Sequence, residues 1–143
     1  MSIEQQAAAT RSLAITKDSS AVFEYVARPE NLPHWAPRFA TAVRRDGDDI
    51  IVIGDGGAER RFRLRTDAAL GVVDFLVAAA PDHYVPAALL RIVPYGRGSI
   101  ASFTLLRLPG EGDAELEARM AVLDEELSTL RDHFLEGAGA LAP

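Results

Sequence analysis

The feature that most constrains this chain is the apolar stripe near its C-terminus. Between Asp113 and Glu136, Leu116, Met120, Leu123, Leu127, Leu130 and Phe134 step by four and three, so they fall on one side of a helix. At 1.5 Å per residue such a helix runs to roughly 35 Å. Asp113 suits its N-cap, and Gly137 suits a C-terminal stop. The stripe also scans as heptads, but over only about three of them, too few to favour a coiled coil. A one-sided helix of this length needs a broad apolar surface to lie on.

The chain upstream supplies strands. "TRSLAIT" (10–16) alternates, with Leu13 and Ile15 on one face. "FATAVRR" (39–45) and "DIIVIG" (49–54) flank "DGD", where Gly47 suits a hairpin turn. "ERRFRLRT" (59–66) sets Arg61, Arg63 and Arg65 on one face, with Phe62 and Leu64 on the other. "GVVDFLVAA" (71–79), "VPAALLRIV" (85–93) and "SIASFTLLRL" (99–108) follow, divided by glycine turns. Short connections imply antiparallel pairing, and strands followed by one long helix make the class α+β. A twisted sheet around a single helix leaves a gap that either large side chains or a ligand must fill.

The segment after the first strand has a different character. Asp18 or Ser19 can cap a short helix with Val22, Phe23 and Val26 on its apolar side. "RPENLPHWAPRF" (28–39) then carries three prolines four residues apart, with the chain's single tryptophan among them. Prolines at that spacing exclude a long helix. One or two turns over 30–36 would direct Leu32 and Trp35 inward.

At 143 residues, 48% hydrophobic and 25% charged, the chain suits one globular domain over residues 10–137, with tails at 1–9 and 138–143. A net charge of -6 argues against nucleic acid as a partner. There is no cysteine, hence no disulfide or thiolate chemistry. The opening residues lack a basic segment followed by an apolar run, so no secretory signal is expected, and no run is long enough for a membrane span. A cytoplasmic location is the expectation. His34, His83 and His133 have no metal-ligand spacing, and the glycine loops match no phosphate-binding motif, so neither metal nor cofactor is implied.

The element order, the stretch "ITKDSSAVFEYVARPENLPHWAPRF" and the helix ending "EELSTLRDHFLEG" together resemble the START-like superfamily, also called SRPBCC or polyketide cyclase/dehydrase and lipid transport. The resemblance covers residues 10–136. It implies a helix-grip fold: a seven-stranded antiparallel sheet gripping the C-terminal helix, two short helices after the first strand, and a hydrophobic cavity between sheet and helix. The proline segment would close one end of the grip. Trp35 would line the cavity there, or serve as a core anchor for the short helices; the two roles are compatible. Members of the superfamily include ligand carriers, aromatase/cyclases and chaperone activators, so the fold does not select the function.

The expected activity is binding of a small hydrophobic ligand such as a lipid, polyketide or isoprenoid. The expected lining is Trp35, Phe39, Phe62, Leu64, Phe75, Tyr84, Leu90, Met120, Leu123 and Leu127. The alternative is a cyclase or dehydratase in the same cavity. Aromatase/cyclases that resemble this chain around Trp35 use an Arg and hydroxyl groups, and the candidates here are Asp74, Tyr95 and Arg63 as acid, base or anchor. Asp74 interrupts an apolar strand. Facing inward it could act as a general acid or base; facing outward it would pair with an arginine of the 61/63/65 row. A chaperone-like interaction module is a third class, and a homodimer is left open.

Overall fold

In the computed structural model the described residues are 8–141, with side chains described for 8–135. The order is β1 (Ala8–Ile15), α1 (Ser19–Val26), a 3-10 turn (Pro29–Asn31), α2 (Leu32–Trp35), β2 (Ala42–Asp46), β3 (Asp49–Ile53), a second 3-10 turn (Asp55–Gly57), β4 (Glu59–Asp67), β5 (Val72–Ala80), β6 (His83–Tyr95), β7 (Gly98–Leu106) and α3 (Asp113–Leu141). All seven strands form one antiparallel sheet in the order β1-β7-β6-β5-β4-β3-β2. This is the helix-grip arrangement. No helix among the described residues is long and apolar enough to cross a membrane.

The topology gives the proline segment its task. β1 and β2 occupy opposite edges of the sheet, so the chain must cross the whole sheet between them. Asp18 caps α1 by accepting from the Ala21 amide at 3.2 Å. Pro29 opens the next turn, where a missing N–H costs nothing. Asn31 Nδ2 donates to the Tyr25 carbonyl at 2.9 Å, and Arg45 clamps Glu30 with two bonds of 2.6 and 3.0 Å. The crossing is therefore tied down at both ends, and Leu32 and Trp35 point into the core.

Several boundaries differ from the sequence reading. β1 begins at Ala8, inside the segment read as a tail, because its register with β7 extends to Ala8 opposite Leu106. β2 begins only at Ala42. The Phe39 amide instead donates to the Ala36 carbonyl at 3.0 Å, so Phe39 stands in a turn. Gly112, not Asp113, caps α3: its carbonyl accepts from Leu116, and its amide donates to the Glu115 carboxylate at 2.6 Å. At the other end the helix runs through Gly137 to Leu141, which a glycine permits at a cost of about 1 kcal/mol. Residues 1–7 and 142–143 of the expected tails lie outside the described residues.

The stripe of α3 is buried from Leu116 to Phe134. Phe134 and His133 pack against Tyr25 of α1, the His133 ring stacked on Tyr25 at 4.2 Å. On the sheet, Phe62, Val73, Phe75, Leu90, Ala101 and Phe103 face the helix and belong to the same core. Gly71 leads into β5 beside β6. A Cβ there would lie 2.0 Å from the Ile92 carbonyl oxygen, and its φ is +66°, so only glycine fits.

Candidate functional site

Between the sheet, α2 and α3 lies a cavity of about 320 Å³. Its existence follows from residue size. β6 carries a bulge opposite the Phe75–Leu76 step: Phe75 pairs with Ala88 and Leu76 with Pro86, leaving Ala87 as the extra residue. The bulge turns two consecutive small side chains, Ala87 and Ala88, toward the interior. Ala36 on the turn after α2 and Ala118 on α3 are small as well. Four methyl groups stand where larger side chains would close the gap.

The walls are aromatic and aliphatic. Phe39, Phe62 and Phe75 meet edge to face, with ring centroids 5.4 to 6.5 Å apart. Trp35 meets Phe103 at 5.8 Å on the other side. Leu90 and Leu123 complete the set of expected lining residues found on the cavity. Leu64, Met120 and Leu127 are not on its wall. Leu64 packs half-buried against the core beside Phe75, and Met120 and Leu127 are buried in the contact between helix and sheet.

Tyr84 sits on the outer face of the sheet. Its hydroxyl donates to Asp49, and Arg63 stacks over its ring at 4.3 Å. Arg63 also donates to Asp49 at 2.8 Å, and Arg61 reaches the same carboxylate at 3.0 Å. Hydrogen bonds from Tyr84, Arg63 and Arg61 hold the Asp49 pKa down to about 2. Asp74 belongs to the same outer face. It is 3% exposed and takes Arg91 at 2.7 Å and Arg65 at 3.0 Å. Tyr95 is exposed at the end of β6. Asp74, Tyr95 and Arg63 thus stand away from the cavity, because strand alternation sends them to the opposite side from Phe62 and Phe75.

Among the described residues, two that line the cavity carry a buried side-chain atom without a hydrogen-bond partner: Trp35 at Nε1 and Glu126 at Oε2. Trp35 is 4% exposed and Glu126 is 8% exposed. Burial raises the Glu126 pKa to about 7, against smaller opposing contributions from the Phe39 amide and Arg38. Three arginines also reach the cavity. Arg38 is bonded to Glu125 at 2.8 Å, and Arg119 to Glu111 at 2.8 Å and to the Leu106 carbonyl. Arg60 lies over the Phe62 ring at 5.6 Å and has no carboxylate partner among the described residues.

The sequence contained signals for both Glu126 and Arg60. Glu126 is three residues after Leu123 and four before Leu130, so it belongs to the buried stripe by spacing alone. Arg60 shares strand parity with Phe62 and Leu64. Chemically, the site offers an apolar volume, and one of its lining residues, Glu126, carries a buried carboxyl that changes protonation near neutrality.

Solved structures carry the comparison. A START superfamily protein from Mycobacterium smegmatis superposes with a TM-score of 0.68 at 13% identity, covering 91% of this chain and 98% of that one. The chain has a START-like fold. The di-domain ARO/CYC protein BexL from the BE-7585A biosynthetic pathway matches with a TM-score of 0.64 at 17% identity, over 90% of this chain but 46% of BexL. The Aha1 dimer from Colwellia psychrerythraea matches with a TM-score of 0.66 at 13% identity, over 89% of this chain and 95% of that one. No family model and no curated protein matches the sequence. Identities this low establish the START-like fold and leave its use to the residues of the cavity.

Proposed function

We propose that this protein binds a small, largely apolar molecule in the cavity between sheet and α3, working in the cytoplasm as its sequence suggests. The observation that carries the reading is a cavity of about 320 Å³ walled by Trp35, Phe39, Phe62, Phe75 and Phe103. Ligand sites typically take this form: a mostly apolar concavity of roughly 300–1,000 Å³ with few polar groups. A lipid, polyketide or isoprenoid fragment suits the lining; a nucleotide does not, since among the described residues Arg60 is the one lining arginine without a carboxylate partner. A homodimer stays within the proposal, on the strength of the dimeric Aha1 neighbour.

A second reading, an acid–base enzyme of the cyclase or dehydratase type, draws support from Glu126. A carboxyl with a pKa of about 7 on an apolar wall is poised to give or take a proton near neutral pH. The ARO/CYC protein BexL shares the fold. In this reading Glu126 replaces Asp74, Tyr95 and Arg63 as the acid–base group.

Mass spectrometry of organic extracts from the purified protein tests the binding reading. An apolar molecule should copurify with the parent and be excluded from Ala88→Phe, which fills the cavity. Extracts without such a molecule, together with micromolar nucleotide binding, would overturn it. Turnover of a polyketone that is lost in Glu126→Gln with the fold intact would promote the enzyme reading.

A further inference from the structure

Arginines recur along β4, and one of them differs from the rest. Arg61, Arg63 and Arg65 lie on the outer face of the sheet, and each is bonded to an aspartate there. Arg60 has the parity of Phe62 and Leu64, which puts it on the inner face, at the rim of the cavity. It is exposed, and among the described residues no carboxylate reaches it; its neighbour Glu59 is taken by Arg44 at 3.0 Å. The other arginines of the cavity are engaged, Arg38 by Glu125 and Arg119 by Glu111. The Arg60 guanidinium stands 5.6 Å from the centre of the Phe62 ring, which belongs to the cavity wall. Arg60 and Leu108 also border an open recess of about 380 Å³ lined by residues 77–79 and 108–111. The guanidinium therefore sits where the apolar interior meets solvent. The carboxylates of that recess are occupied: Glu111 accepts from Arg119 at 2.8 Å and from the Leu108 amide at 3.0 Å, and Glu115 accepts from the Gly112 amide at 2.6 Å.

We propose that Arg60 anchors the carboxylate of a ligand whose apolar body fills the cavity, so that the site takes an apolar monocarboxylic acid. This rests on the binding reading above and adds the ligand's head group. A guanidinium presents a planar fork of donors that matches a carboxylate, and such charge-assisted bonds are roughly twice as strong as neutral ones. One free guanidinium suits one carboxylate and not a polyphosphate. The cavity sets the size of the body. A cavity of about 150 Å³ holds a benzene ring, so one of about 320 Å³ has room for two fused rings or a short acyl chain. The chain as a whole is acidic, with a net charge of -6, so its general field gives an anion no advantage and a preference for one has to be local. An Arg60 that only covered Phe62 with its stem would favour no head group over another.

Calorimetric titration with naphthylacetate and its neutral isostere naphthylacetamide provides the test, at low ionic strength and about pH 6, where a carboxyl of ordinary pKa about 4 is ionised. The acid should bind the parent about tenfold tighter than the amide. Arg60→Gln should remove that preference and leave the amide affinity within about twofold, while Arg60→Lys should keep part of the preference. Arg97→Gln removes a charge from the β6–β7 turn, away from the cavity, and should leave both affinities unchanged. Equal binding of acid and amide by the parent refutes the anchor and leaves the cavity reading intact. A preference that survives in Arg60→Gln refutes it as well and transfers the acid to Arg38 or Arg119. Equal weakening of both probes in Arg60→Gln refutes it in favour of packing on Phe62, and loss of the preference in Arg97→Gln refutes it in favour of overall charge. If neither probe binds, the cavity reading falls and takes the anchor with it.

Discussion

Glu126 provides the sharpest test, because its buried position couples stability to pH. Its pKa rises from the ordinary 4.5 to about 7, chiefly through burial. The folded protein therefore holds the Glu126 proton over a range in which the unfolded chain has released it. The linkage sign follows: stability is complete below pH 4.5, declines as pH rises from there to about 7, and then stays level. At 1.36 kcal/mol per decade, the loss across that window is about 3 kcal/mol. This is a large share of the roughly 5–15 kcal/mol that holds a domain together. Glu126→Gln removes the titration and keeps the shape. Urea unfolding of both proteins from about pH 4.5 to about pH 8 should show the variant gaining on the parent by about 3 kcal/mol, almost all of it by pH 7. Other titrating groups cancel in the difference, and any constant cost of burying an amide only offsets the curve. A difference that stays flat across the range would mean Glu126 ionises freely and is not held against an apolar wall.

Three further outcomes are expected. Leu130→Ala, at a fully buried position of α3, should lower unfolding stability by about 2–5 kcal/mol; a loss under about half a kcal/mol would mean that the helix does not pack on the sheet. Asp74→Asn should cost about 1–3 kcal/mol by leaving Arg65 and Arg91 without their shared carboxylate, yet leave binding of an apolar probe unchanged, which calorimetry on the variant checks. Asp49 works in the opposite sense to Glu126: its depressed pKa adds stability above pH 3.8 that is lost as pH falls from there to about 2. Acid unfolding followed by circular dichroism should accordingly be shallower in Asp49→Asn than in the parent.

The fold was legible wherever one periodicity governed a segment. The α3 stripe could be read because buried residues on an isolated helix repeat near 3.6, and six apolar side chains kept that step. The strands could be read by alternation, but their ends could not. Phe39 looks like a strand residue by composition, yet its amide closes a turn on Ala36 and its ring reaches the cavity from there. β6 runs from His83 to Tyr95, through Pro86 and Pro94, because the bulge at Ala87 and the strand end absorb the missing donors. The large lining aromatics were legible by size. Met120 and Leu127 were not separable from Leu123, since all three share the stripe and only the alanines opposite decide where space opens. Glu126 escaped because a charged residue in "DEELS" reads as solvated unless its spacing from Leu123 and Leu130 is weighed above its charge.

The buried acids of this fold are handled in two ways, and the contrast bears on what the cavity is for. Asp49 and Asp74, 6% and 3% exposed, each take two arginines, and Asp49 also takes a tyrosine hydroxyl. Their desolvation is offset on the spot, as structural carboxylates require. Glu126 has an arginine within reach of the same wall, since Arg38 lines the cavity too, but Arg38 bonds the exposed Glu125 instead. A leucine at position 126 would continue the α3 stripe and remove the cost entirely. A pairing with Arg38 would lower the pKa and fix the charge. Glu126 has neither arrangement, and what results is an acid kept near its titration point against a volume that protein atoms leave unfilled. Local departures from stability of this kind are expected where a site works on something other than the protein itself.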